Sequence, residues 1–173
     1  SKITEECGKK FFSALVTNGT LLTEEILDRL SFLNAVQVTF EGCRSYHDQI
    51  RYTTTGTFDR VLKSAEMIKD AGILLNARIH VSDRNITDLE KLFDELHSSQ
   101  LLGPKTYVTV APSVSTGLCP FYPSSCTESF EAAKLLPKAW EIAGECGITI
   151  SHMPQAAYEV LPCPYVTLTS INV

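Results

Sequence analysis

The sequence has no apolar run approaching the roughly 20 residues a helix needs to cross a bilayer, so no membrane segment is expected. It has no basic run longer than two residues and a net charge of −5. A nucleic-acid partner is therefore not expected, because phosphate binding needs clustered cations to displace counterions. No CxxC occurs, which removes thioredoxin chemistry and zinc knuckles from consideration. Phosphate-binding GxGxxG and P-loop turns are absent, as are HExxH and GxSxG. The opening residues SKITEECGKK carry charges of both signs and no apolar stretch, so no secretory leader is expected and the expected location is cytoplasmic. The first residue is Ser rather than Met, as in a processed protein or a cut piece. Six cysteines, Cys7, Cys43, Cys119, Cys126, Cys146 and Cys163, are too sparse over 173 residues for a secreted disulfide scaffold. They are expected to be free and largely buried.

What is present is one organisation repeated: strand, polar turn, helix. SALVTNG (13–19) is a β-branched run closed by Asn-Gly, a strong turn signal. Thr23 is placed to cap a helix, with Glu24 and Glu25 in its first turn and Ile26, Leu27, Leu30 and Leu33 along one face. AVQVTFEG (35–42) reads as the next strand, and 43–57 as a polar connection. Phe58, Val61, Leu62, Ala65 and Ile68 mark a second helix ended by Gly72. ILLNARIHVS (73–82) is a third strand. Asn85 or Thr87 can cap the next helix, whose face is Leu89, Leu92, Phe93 and Leu96. After Gly103-Pro104, TYVTVAP (106–112) is a fourth strand. The Ser-, Pro- and Gly-rich stretch 113–126 reads as a long loop, and Thr127 starts a helix that Pro137 restarts or kinks and Gly147 ends. ITISHM (148–153) is a candidate fifth strand, and VTLTSINV at the end of the chain alternates like another. Strands alternating with helices in this way imply an α/β fold built of parallel βα repeats.

In such architectures chemistry sits at the carboxyl ends of the strands. The residues there are Thr17-Asn18-Gly19, Thr39-Phe40-Glu41-Gly42, Arg78 with Ser82, and Val110-Ala111-Pro112-Ser113. A carboxylate such as Glu41 can accept from ribose hydroxyls, and an inward guanidinium such as Arg78 can clamp a ligand carboxylate. Each has a plainer alternative. Asn18-Gly19 can simply supply the backbone angles of a tight turn, and Glu41 can be a rim salt bridge to Arg44 or Arg78. His47 and Asp48 are adjacent, so on a helix they point apart, which favours capping or loop anchoring over an acid–base pair. His80 alternates with Arg78 and is expected to be a satisfied core histidine. Cys119 and Cys126, six residues apart, are weak evidence for a metal. From the residues alone the chain is an α/β ligand-binding domain.

The order of these rim motifs resembles radical S-adenosylmethionine (radical SAM) enzymes. TNGTLLTEEILDRL resembles their third βα unit. VQVTFEGCRSYHDQIR followed by GTFDRVLKSAEMIKDAG resembles the fourth, where a strand ends in S/T-L/F-D-G before HD..R and G-S/T-F/Y-D. ILLNARIHVSDRNITDLEKLFDEL resembles the fifth with its N-x-R-x-x-V strand, and YVTVAPS the sixth strand. The pattern is most similar to the subgroup with a C-terminal SPASM or related auxiliary-cluster domain, which includes peptide-modifying and sulfatase-maturing enzymes. LPCPYVTLTSINV resembles the opening of that domain.

The resemblance implies part of a radical SAM partial (βα)6 TIM-like barrel over residues 1–112, covering units three to six. Residues 113–173 would then lead into the auxiliary-cluster region. It also implies a parent enzyme in which three cysteines hold a [4Fe–4S] cluster, S-adenosylmethionine is cleaved to a 5′-deoxyadenosyl radical, and the substrate is a peptide or protein. By position Asn18, Thr39, Glu41 and Arg78 would face S-adenosylmethionine, Val110 would contact adenine through its backbone, and Cys163 would ligate an auxiliary cluster. The family's C-x3-C-x2-C motif and GGEP-type turn are missing, Glu41 stands where Asp is usual, and Cys43 follows Gly42 where Pro or a polar residue is common. By itself this chain is expected to bind no cluster, to be inactive, and to self-associate through open sheet edges. The alternatives are a stand-alone α/β module for a nucleotide or small molecule, and a structural half-barrel.

Overall fold

The computed structural model describes residues 8, 12–51, 56–113 and 129–151. Four parallel strands lie in the order in which they occur: β1 (Ala14–Thr17), β2 (Ala35–Phe40), β3 (Leu74–Val81) and β4 (Thr106–Pro112). Between and after them come helices α1 (Glu24–Arg29), α2 (Arg44–Ile50), α3 (Phe58–Asp70), α4 (Leu89–Ser98) and α5 (Ser129–Glu145). Parallel neighbours in sequence order are the signature of repeated βα crossovers. Ile150 adds one parallel bridge to Val108, so the expected fifth strand is seen here as that single contact, with 152–153 outside the described residues.

Strand alternation divides the sheet into two unlike faces. The register pairs Val36 with Leu75, Val38 with Ala77 and Phe40 with Ile79, and carries Ala77 and Ile79 on to Val108 and Val110. These residues face the helices, and Val36, Val38, Phe40, Leu75, Ala77 and Ile79 are fully buried in one core with Val61, Ala65 and Ile68 of α3 and Leu92, Phe93 and Leu96 of α4. Each large side chain so buried stabilises by about 1.5–3 kcal/mol relative to exposure. From α5, Ala139 and Ala143 complete this core. The opposite face carries Val16, Gln37, Thr39, Asn76, Arg78, His80, Tyr107 and Thr109, and contributes almost nothing to the apolar core.

The helix ends follow local chemistry. Thr23 caps α1 as expected, its hydroxyl accepting from the Ile26 amide at 3.3 Å. Gly72 ends α3 in the left-handed region (φ 76°), where Ile73 N reaches back to Ile68 O at 3.2 Å. Gln100 adopts the same conformation after α4 (φ 53°) without being glycine, and Leu101 N bonds to Leu96 O at 3.1 Å. The helix α5 runs unbroken through Pro137; Thr127, its expected cap, lies outside the described residues. One expectation fails outright: the polar connection after β2 contains α2. That helix buries its face through His47, which has no solvent exposure, and so presents no apolar periodicity to read.

Candidate ligand-binding face

The polar face is built in rows across β2, β3 and β4. In the lowest row Asn76 Nδ2 donates to Gln37 Oε1 at 2.8 Å, and Thr109 Oγ1 donates to Asn76 Oδ1 at 2.9 Å. The next row pairs Thr39 with Arg78 in register. Arg78 has a buried Nε with no hydrogen-bond partner, and no ion pair is seen for it among the described residues. Leaving a buried guanidinium N–H unmet costs about 1–3 kcal/mol, so this group is poised for an acceptor. At the carboxyl ends of the strands stands Glu41. Its Oε1 takes Arg51 Nη2 at 2.6 Å and its Oε2 takes His80 Nδ1 at 3.0 Å. The expected partners Arg44 and Arg78 are not the ones used. Arg44 instead pairs with Asp59 and Glu95 and lies 4.8 Å from the Phe58 ring centre.

Burial opposes ionisation of Glu41, but the hydrogen bond and charge of His80 and the charge of Arg51 outweigh it, holding the carboxyl below its ordinary value. His47 is the reverse case. Burial, aided by the Arg51 charge, pushes its imidazole down to about 4, so it is neutral near pH 7. Neutral His47 accepts the Glu41 backbone N–H at Nδ1 (3.2 Å), leaving its Nε2 buried without a partner. His47 and Asp48 do point apart, and each anchors backbone. Asp48 Oδ1 accepts from Thr57 N at 2.6 Å and Phe58 N at 2.8 Å, at the start of α3. Gly56 fits against it in the left-handed region (φ 66°), where an added Cβ would lie 2.8 Å from Asp48 Oδ2.

Asn85 joins the ends of β2 and β3. It is 1% exposed; its Nδ2 donates to Glu41 O at 2.5 Å and His80 O at 2.8 Å, and its Oδ1 accepts from Ser82 N at 2.7 Å. The expected capping role is thus replaced by a strand-to-strand tie, with no forward cap on the 3-10 turn Ile86–Asp88. At β1, Asn18 Oδ1 accepts from Thr20 N at 3.1 Å and Thr20 Oγ1 at 3.0 Å, and Gly19 has φ 77°. That is the tight turn the plainer reading expected. Val110 faces the helices with its side chain, on the far side of the sheet from Thr39 and Arg78, so only its backbone is shared with the polar face. Cys163, Cys119 and Cys126 lie outside the described residues. Sequence reasoning named Glu41 and Arg78 but missed Arg51 and the structural weight of Asn85. The HD..R spacing carried the first signal; a buried Asn has none.

A separate cleft of about 480 Å³ lies away from this face, between the start of α1 and α3, lined by Thr20, Thr23, Glu24, Arg60, Lys63 and Met67 among others. It lacks a buried unpartnered polar group, and the polar face is the better candidate. No described group of three His, Cys, Asp or Glu side chains is placed to hold a metal.

The fold and this face define a parallel βα protein of the partial-barrel kind, with its polar groups at the strand ends. No family model matches the chain. It is 34% identical over 83 residues to AdoMet-dependent heme synthase of Methanosarcina barkeri (strain Fusaro / DSM 804), covering 46% of this chain and 24% of that protein. It is 29% identical over 91 residues to Fe-coproporphyrin III synthase of the same organism, covering 51% of this chain and 23% of that protein. The chain thus spans about a quarter of the length of these curated relatives. Among solved structures it resembles native anSMEcpe with bound AdoMet and Kp18Cys peptide, with a TM-score of 0.63 and 19% identity over 87% of this chain and 42% of that one. Native anSMEcpe with bound AdoMet gives a TM-score of 0.61 at 19% identity, over 83% and 39%. The chain thus shares the parallel βα fold of these AdoMet-bound structures and is similar over about half its length to the two curated enzymes.

Proposed function

We propose that the polar face of this chain forms the S-adenosylmethionine (AdoMet) side of a radical SAM enzyme. The observation that carries the reading is Arg78, a guanidinium with a buried, unpartnered Nε on the sheet face opposite the apolar core. Its fork suits the AdoMet carboxylate in a bidentate contact. Thr39, in register beside it, and Asn18 at the end of β1 supply further polar contacts, and the Val110 backbone borders the adenine. A relative named for AdoMet dependence, and a fold shared with AdoMet-bound structures, support the assignment. Among the described residues no group of three His, Cys, Asp or Glu side chains is placed to hold a metal; in radical SAM enzymes an iron–sulfur cluster supplies the electron that cleaves AdoMet. What this chain contributes is orientation and an environment of fixed charges.

The substrate reading is a peptide or protein, supported by the peptide in the anSMEcpe complex. A tetrapyrrole is the second reading, supported by the names of the two curated relatives. Self-association is part of the proposal too, because β1 ends the described sheet and Phe12, Val16 and Phe32 near it are 71%, 54% and 53% exposed. The test of the AdoMet site is calorimetric titration of the full-length protein with AdoMet. R78A is expected to weaken binding by about 10- to 100-fold, as for a lost charged hydrogen-bond partner. Unchanged affinity would remove Arg78 from the site.

A further inference from the structure

Resting on that AdoMet reading, we infer that His80, and not Glu41, is the side chain at this strand end that touches the ligand, and that Glu41 and Arg51 position it. The carboxylate is the residue one would first assign to a ribose hydroxyl. In this chain both of its oxygens are already occupied, Oε1 by Arg51 at 2.6 Å and Oε2 by His80 at 3.0 Å. The Glu41 side chain is 15% exposed, whereas that of His80 is 29% exposed. Glu41 is further pinned through its backbone, which donates to His47 Nδ1 and accepts from Asn85 Nδ2. A ligand hydroxyl reaching this carboxylate would have to displace a charged hydrogen bond. That is a poor exchange, since bonds to ionised groups are about twice as strong as neutral ones.

His80 has the complementary arrangement. An ionised Glu41 can only accept, so His80 Nδ1 carries the proton in their bond. In the neutral imidazole this fixes the tautomer, leaving Nε2 with a lone pair, and no described residue hydrogen-bonds it. By strand alternation His80 lies on the same face as Arg78, two residues or about 6.6 Å along β3. Its neighbour in register on β4 is Ala111, small enough to leave that side open. With His80 neutral, the face therefore offers, from one strand, a guanidinium for a carboxylate and an oriented acceptor for a hydroxyl. Arg51 keeps Glu41 ionised, and Glu41 keeps His80 in the right tautomer and rotamer, the role carboxylates play behind histidines elsewhere.

The test compares the full-length wild type with H80F, H80Q, E41Q, R78A and the H80F/E41Q double variant. Affinity is measured for AdoMet and for its 2′-deoxy and 3′-deoxy ribose analogues. The imidazole ¹⁵N resonances are recorded in parallel to read the His80 tautomer. H80F is expected to weaken AdoMet about tenfold and to leave unchanged the affinity for the analogue that lacks the contacted hydroxyl; H80Q, which restores an acceptor, should regain part of the loss. E41Q should shift the tautomer away from Nδ1–H, weaken AdoMet by a smaller factor, and add nothing in the H80F background. Loss of ribose discrimination by E41Q within H80F would put Glu41 itself on the ligand and overturn the inference. So would a His80 tautomer indifferent to E41Q. If R78A weakens AdoMet while H80F does not, the His80 assignment alone fails. If the wild type binds no AdoMet, or R78A leaves its affinity unchanged, the site reading fails first and takes this contact with it.

Discussion

Replacing Asn85 by alanine tests whether the ends of β2 and β3 are held by one buried amide. The side chain makes three short hydrogen bonds, to the carbonyls of Glu41 and His80 and from the amide of Ser82, and is 1% exposed. Truncation leaves those backbone groups without this partner in a site water cannot easily enter. At about 1–3 kcal/mol per buried unmet group, and allowing that the carbonyls have second lone pairs and that the site partly relaxes, the net loss is about 2–4 kcal/mol. That is a large part of the about 5–15 kcal/mol by which domains are stable. With a urea slope of about 2 kcal/mol/M, the unfolding midpoint should fall by about 1–2 M, read by circular dichroism. N85D is the sharper variant. It keeps an oxygen for Ser82 N but sets a second carboxylate oxygen against two carbonyls, so it should cost at least as much as N85A near pH 7. A midpoint within about 0.3 M of wild type for both variants would refute the tie, as would N85D behaving like wild type.

Four further outcomes follow from the structure. His47 is depressed from 6.5 to about 4, so the unfolded chain binds the extra proton between those values. Stability is therefore full above pH 6.5 and lost as pH falls toward 4, by about 3 kcal/mol at 1.36 kcal/mol per pH unit; in urea titrations H47N should flatten that slope, and an unchanged slope would exclude His47 as its source. Asp48 lies below its ordinary 3.8, since its bonds to Phe58 and Thr57 amides outweigh burial. D48A should cost about 1–2 kcal/mol as a lost helix cap, with the gap from wild type persisting above pH 3.8 and closing below it. G56A should cost a similar amount with Asp48 intact, through both the left-handed backbone and the 2.8 Å clash, and thermal melts should show less of that penalty in the D48A background. Conversely Q100G should stabilise by about 0.5–1 kcal/mol, because Gln100 pays for a φ of 53° that glycine adopts freely; a lower melting temperature would contradict this.

The strands were readable because short, mostly buried runs rich in apolar residues, such as AVQVTF and LLNARIHV, are bounded by turn signals and too short for helices. The helices α3 and α4 were readable because Phe58, Val61, Ala65 and Ile68, and Leu89, Leu92, Phe93 and Leu96, recur at helical spacing. The helix α2 was not, since its buried face is a neutral histidine whose burial depends on Phe40 and Phe58, 6.4 Å and 5.6 Å from it between ring centres. Among the site residues, Glu41 and Arg78 were legible by position at strand ends. Their partners were not, because Arg51 and His80 are 10 and 39 residues from Glu41.

The sequence by itself determined the repeating βα organisation, the parallel sheet and the likeness to radical SAM enzymes. All three depend on periodicity, turn residues and motif order, which are local. Only the tertiary structure decided which charges meet. Parallel register sets Thr39 beside Arg78, α2 swings Arg51 back over the end of β2, and Asn85 locks that end to β3. The result is a carboxylate fully engaged by the protein beside a guanidinium whose buried Nε is not. Pairing depends on distances across strands, and those are fixed by packing rather than by spacing along the chain.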